Sequence, residues 1–225
     1  MTVMRTAPLA RPAIGTVQPD IARLKITLDR VKPQVLRRVE VPIELRLDRL
    51  HLVIQAAMGW ENCHLYEFRA GSARWGIPDD ELGWGLGDGP LNAKKATLAE
   101  LLQPARGKFK YWYDFGDDWF HTVTLEKLVP AEPDVIYPRL IAAKGHCPPE
   151  DVGGPWGYAE YLKAIADPTH DRHEELIDWR GPGFDPIDAD EIGIRKRLDR
   201  LAARFYKPKT RPARPRGKTG AAPDR

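Results

Sequence analysis

Long hydrophobic runs are missing from this 225-residue chain. No apolar stretch approaches the roughly 20 residues that cross a bilayer, so no membrane helix is expected. The N-terminal segment MTVMRTAPLARPAIGTVQPD carries arginines but no continuous apolar core, which speaks against a secretion signal. Cysteine is scarce: Cys63 and Cys147 lie 84 positions apart and form no Cys-x-x-Cys. A disulfide scaffold is therefore not expected, and the cytoplasm is the default compartment. No internal repeat is visible. The glycine-rich run GWGLGDG at 83–89 matches neither Gly-x-Gly-x-x-Gly nor Gly-x-x-x-x-Gly-Lys-Ser/Thr, so it reads as a loop and not as a phosphate cradle.

What the chain does have is a strong segregation of charge. The last nineteen residues hold Lys207, Lys209, Arg211, Arg214, Arg216, Lys218 and Arg225 against Asp224 alone, a net of +6. The total is +3, so everything before this tail sums to −3. A Lys/Arg/Pro tail cannot bury a core, and residues 207–225 are expected to be disordered, like the Ala/Pro/Arg-rich arm at 1–19. Between them, residues 20–206 are expected to form one domain. Phosphate neutralisation by the tail makes nucleic acid the partner to consider, while the body is too acidic to grip a phosphate backbone. Solvation alone is the competing account of the tail.

Periodicity places the elements. RLKITLDR alternates through Leu24, Ile26 and Leu28, and QVLRRVEVP alternates through Val35, Val39 and Val41, so the two read as a strand hairpin. LDRLHLVIQAAMGW switches to helical spacing, with Leu50, Val53, Ile54 and Ala57 on one face, Asp48 as N-cap and Gly59 at the C′ position. CHLYEFRA returns to a strand, and ATLAELLQP shows a Thr97–Glu100 capping box. KFKYWYDF and DWFHTVTLEK are two more strands. Helices are expected from Pro155, around Glu174–Trp179, and from near Asp190 to Phe205. This order predicts an α+β fold: a mixed, mainly antiparallel sheet of about five strands, helices packed on one face, and a C-terminal helical segment.

YDFGDDWFHT, residues 113–122, carries the most concentrated chemistry. With Gly116-Asp117 as a two-residue turn, Asp114 faces Trp119 and Trp112 faces His121. Asp114 and His121 then become diagonal neighbours between two tryptophans. Such a pair suits a general base or a metal ligand, or equally a satisfied polar pair that fixes strand register. Asp117 and Asp118 read as turn residues.

Three long motifs occur in order: QVLRRVEVP…LDRLHLVIQAAMGWENCHLYEF, YDFGDDWFHTVTLEK, and CPPEDVGGPWGYAEYLKAIADP…FDP. Together, over about residues 20–205, they resemble the plasmid pRiA open-reading-frame-three-like family, whose members are also labelled insertion-sequence passenger TnpR-family proteins. Two departures are visible: Leu36 stands where the family often has tryptophan, and Val152 where it often has cysteine. The resemblance implies an α+β domain found on chromosomes, plasmids and mobile elements, with no established activity. The chain shows no Ser-centred nucleophile motif and no helix-turn-helix signature, so the resolvase-like label is read as a statement about neighbouring genes.

The motifs nominate one pocket at a sheet end, with His64, Asp114, His121, Cys147, Glu150 and Asp151 as its polar groups and Trp119 and Tyr158 among its walls. A Cys2His2 zinc site from Cys63, His64, His146 and Cys147 is not expected, because Cys63 and His64, as neighbours on a strand, point to opposite faces. A magnesium or manganese site from Asp117, Asp118, Glu150 or Asp151 is the better metal candidate but matches no known ligand spacing, so no metal ligand is assigned. The sequence does not identify a cofactor. Two functions stand. The first is a binding or accessory domain associated with mobile elements, using the pocket and the basic tail. The second is a hydrolase-like enzyme using the His/Asp/Cys cluster, with or without a divalent metal.

Overall fold

The computed structural model describes residues 21–78 and 89–206. The arm, the tail and most of the glycine-rich run therefore lie outside the described residues. The fold is α+β, with eight strands in one sheet. They are β1 (Ile21–Leu28), β2 (Leu36–Pro42), β3 (Tyr66–Ala70), β4 (Ala73–Gly76), β5 (Leu91–Asn92), β6 (Lys108–Tyr113), β7 (Trp119–Val129) and β8 (Arg139–Lys144). Their order across the sheet is β5-β4-β3-β6-β7-β1-β2-β8, and every pairing is antiparallel except β4 with β5. Among the described residues five α-helices accompany it: α1 (Leu47–Met58), α2 (Leu98–Ala105), α3 (Gly154–Ala166), α4 (His173–Arg180) and α5 (Glu191–Phe205). The sheet is larger than the five strands expected because β4 and β5 are very short and β8 follows a proline-rich connection with little alternation.

One face of the sheet is apolar. Leu24, Ile26, Leu28, Val39, Val41, Phe68, Phe109 and Val123 are fully or almost fully buried there, together with Leu50, Val53, Ile54 and Ala57 of α1. The apolar stripe of α1 thus does what its spacing demands. Gly59 ends the helix at φ 96, as its C′ position required, and the Thr97–Glu100 capping box is present at the start of α2. Asp48 is not the N-cap of α1; Arg46 holds that position, and Asp48 sits in the first turn, ion-paired to Arg46 at 2.7 Å. The opposite face of the sheet is polar and tied by cross-strand pairs. Glu40 is fully buried between Arg23 at 2.7 Å and Arg139 at 2.6 Å.

The β6–β7 hairpin differs from expectation by one residue. The strands stop at Tyr113 and restart at Trp119, leaving a five-residue loop from Asp114 to Asp118. Asp114 is a loop former and not a strand residue. It adopts φ 54, its Oδ1 accepts from Gly116 N at 2.9 Å and Asp117 N at 3.3 Å, and its carbonyl accepts from Asp118 N at 2.8 Å. Aspartate tolerates left-handed backbone and bonds its own turn, so it outcompetes the shorter glycine turn. Because side chains alternate, this slip sends Trp119 and His121 to the core face, opposite Tyr113 and Tyr111. Trp112 goes to the outer face, where it stacks on Phe120 at 5.2 Å and donates from Nε1 to Asp118 Oδ1 at 3.0 Å.

Candidate functional site

The expected Asp114–His121 pair does not form. His121 is fully buried, and its Nδ1 lies 3.1 Å from the Trp119 carbonyl and 3.3 Å from that of Tyr111. Burial pushes its pKa down to about 4, so the ring is a neutral core group. Trp119 is equally buried, 5.7 Å from Trp60 between ring centroids. Tyr158 is buried on α3, and burial raises its hydroxyl pKa. Cys147 is buried as well, with its thiol pushed up to about 12 by desolvation. Trp119, His121 and Tyr158 thus belong to the packing around the site.

Asp114 turns to a different histidine. Its Oδ2 lies 3.5 Å from His64 Nε2, and Asp151 Oδ1 lies 3.0 Å from the same nitrogen. The loop carrying Asp151 is held against the sheet by several hydrogen bonds. Trp60 Nε1 donates to the Pro148 carbonyl at 3.0 Å, Tyr113 donates its hydroxyl to Glu150 Oε1 at 2.5 Å, and Gly153 N donates to Asp117 Oδ2 at 3.1 Å. The start of α3 docks so closely on the hairpin that a Cβ on Gly154 would meet the Asp117 carbonyl oxygen at 2.3 Å. The GDDW and EDVGGP motifs are therefore two halves of one contact.

Cys63 and His64 lie in the loop before β3, which starts only at Tyr66. They are not opposed across a strand, and the objection to a shared ion falls. Cys63, His64 and Glu150 have ligand atoms within 4.8 Å of one another, and so do His64, Asp114 and Asp151. Glu150 is already engaged: Oε1 takes the Tyr113 hydroxyl and, at 3.5 Å, the Cys63 thiol, while Oε2 takes Glu61 N at 2.6 Å. Desolvation first, and then Glu150, raises the Cys63 pKa. Asp114 has Oδ2 and Asp151 has its carboxylate directed at one imidazole nitrogen. Tetrahedral ligands about 2.0–2.2 Å from one ion lie roughly 3.3–3.6 Å apart. The Asp114–His64 separation of 3.5 Å falls in that range, the Asp151–His64 separation of 3.0 Å is a hydrogen-bond distance just below it, and all three ligand atoms lie within 4.8 Å of one another. His64, Asp114 and Asp151 can hold one divalent cation with a position left open. Asp151 is 69% exposed at its side chain and Asp114 only 10%, so the cluster lies at the protein surface.

Asp151 also stands on the wall of a cleft of about 460 Å³. Arg37 and Cys147 contribute to its floor, and Trp60, Pro148–Glu150, the end of α4 and Arg197 of α5 to its walls. Arg37 is a site residue that the motifs alone do not nominate. It interrupts the Val35–Val39–Val41 stripe on the core face of β2, and that interruption of an apolar alternation is the signal that could have found it.

Residues 20–191 match the family described as plasmid pRiA4b ORF-3-like protein. The chain is 50% identical over 187 residues to the uncharacterized protein y4hQ of Sinorhizobium fredii (strain NBRC 101917 / NGR234), covering 82% of this chain and 94% of that one. Its fold is similar to the crystal structure of a protein of unknown function, MM3350, from Methanosarcina mazei Go1. The TM-score is 0.69 at 34% identity, with 79% of this chain and 97% of that chain covered. The family match runs through both strand hairpins, the His64 loop and the EDVGGP loop, and the chain belongs to the plasmid pRiA4b ORF-3-like family.

Proposed function

We propose that the protein is a metal-dependent ligand-binding domain, with hydrolysis of a small polar molecule in the adjoining cleft as the reaction its centre can support. One observation carries the reading: two carboxylates from separate loops converge on His64 Nε2, at 3.0 and 3.5 Å. One nitrogen and two carboxylate oxygens with an open position suit zinc or manganese. A cation there lowers the pKa of a bound water and polarises a ligand oxygen. The cleft on the far side of Asp151 gives such a ligand a place to lie. Glu150, Tyr113 and Cys63 form the hydrogen-bonded shelf behind the centre, the kind of outer support that fixes ligand orientation.

Calorimetric titration of the purified chain with zinc and with manganese tests this. Saturable binding of one ion per chain is expected, lost in His64→Ala and in Asp151→Asn but kept in Cys63→Ser. Binding that survives His64→Ala, or no saturable binding, refutes it.

Charge segregation favours a second, compatible role. Lys207, Lys209, Arg211, Arg214, Arg216 and Lys218 lie outside the described residues, and we assign nucleic-acid contact to them on charge alone. Deleting residues 207–225 should abolish salt-sensitive DNA binding; unchanged binding by the truncated chain contradicts the assignment.

A further inference from the structure

Arg37 is 1% exposed, and its contacts account for only part of its guanidinium. Nε donates to the Ala57 carbonyl at 2.8 Å, and Nη1 shares the carbonyls of Leu36, Lys144 and Gly145 at 2.9–3.0 Å. These bonds cap the C-terminal end of α1 and tie β2 to β8. Nη2 has no acceptor among the described residues, and Arg37 has no carboxylate partner there, yet the side chain lines the cleft floor. Burial lowers its pKa from the ordinary arginine value, but a guanidinium stays charged. A buried charge without a counter-charge is costly.

The carboxylates around the cleft reach Arg37 only through space: Asp190 and Glu191 favour its charge without bonding to it. Both oxygens of Glu150 are engaged, by the Tyr113 hydroxyl and by Glu61 N. Asp190 accepts from Gly193 N at 3.0 Å and pairs with Arg197 at 3.2 Å. Asp151 is turned to His64, and Glu61 is exposed at the rim. A second cation, Arg180 at the exposed end of α4, also lines the cleft without an ion pair among the described residues.

We infer that the cleft takes a small anionic molecule, a phosphate or carboxylate compound, with its anion on Arg37 Nη2 and Arg180. Guanidinium groups present paired N–H donors that match the oxygens of both anions. The inference rests on the proposed function for treating this cleft as the ligand site, and it adds the ligand class. Asp151, shared by the cleft wall and the metal cluster, places the anion subsite beside the cation centre. A substrate bound by its anionic end would reach the ion with its other end.

The test is calorimetric titration of the metal-free full chain with inorganic phosphate and, separately, with succinate. The variants are Arg37→Lys, Arg180→Gln and, as a charge control outside the cleft, Arg204→Gln. Saturable binding of at least one anion is expected. It should weaken about tenfold or more in Arg37→Lys and about threefold in Arg180→Gln, with no change in Arg204→Gln, the scale of one lost charge-assisted contact. Circular dichroism checks that Arg37→Lys is folded; if it is not, Arg180→Gln against Arg204→Gln decides the matter. No saturable binding of either anion, or equal weakening by Arg180→Gln and Arg204→Gln, overturns the inference. The zinc titration separates the two claims. Zinc bound without anion binding sinks the ligand class alone, and anion bound without zinc sinks the metal centre alone.

Discussion

Replacing Gly154 by alanine should break the contact between the hairpin and α3 on which the candidate site depends. Two costs add. Gly154 has φ +68, and an L-residue in the left-handed region costs about 1–2 kcal/mol. The new Cβ would also stand 2.3 Å from the Asp117 carbonyl oxygen and 3.2 Å from its carbon, both backbone atoms that cannot rotate away. Forcing such an overlap costs about 1–3 kcal/mol in shifted backbone. The expected loss is therefore about 2–5 kcal/mol, measured by urea denaturation. Gly71 supplies the control, since it has φ +59 and a Cβ added there would meet nothing within 4 Å. Gly71→Ala should cost only the backbone part, about 1–2 kcal/mol. The Gly154 substitution should also weaken zinc binding, because displacing the start of α3 breaks the Gly153–Asp117 bond and carries Asp151 away from His64. If Gly154→Ala costs no more than Gly71→Ala and leaves zinc affinity intact, the close approach does not hold the site together.

Other perturbations have equally definite outcomes. His51 and His121 are both buried with pKa values pushed down to about 4, whereas unfolded histidine titrates near 6.5. Between those values the unfolded chain binds more protons, so stability is full above about pH 6.5 and falls as pH drops towards 4, by on the order of 3 kcal/mol per histidine. Urea midpoints at pH 7.5, 6 and 5 read this, and a flat profile would contradict it. Glu40→Ala leaves Arg23 and Arg139 facing each other without the buried carboxylate between them. Because both arginines are about a quarter exposed and Arg139 keeps Glu132, a loss of about 1.5–3 kcal/mol in denaturation midpoint analysis is expected, and a loss under about 1 would show the pair to be neutral.

Much of the fold is legible in the sequence because local rules act alone there. The β1–β2 alternation, the α1 stripe, the terminal glycine of α1 and the Thr97–Glu100 box each follow from a few neighbouring residues. The hairpin register is not legible in the same way. Gly116-Asp117 is a good two-residue turn by type, but Asp114 offers a longer loop closed by its own carboxylate, and one residue of slip exchanges the faces of Trp112, Trp119 and His121. For the same reason the sequence pairs the wrong histidine with Asp114. His64 becomes its neighbour only because β3 begins three residues later than alternation suggests and the EDVGGP loop folds over the sheet end. Arg37 is visible in the sequence as an arginine in a core position of an alternating strand, but only the fold shows what surrounds it.

The most direct test of the central claim is diffraction at the zinc absorption edge from crystals of the full chain grown with zinc. An anomalous peak bonded to His64 Nε2, Asp114 Oδ2 and Asp151 Oδ1 is expected, at about 2.0–2.2 Å from each. A fully loaded crystal with zinc bound elsewhere, for instance at His146 or His170, and no peak between those three side chains would contradict it.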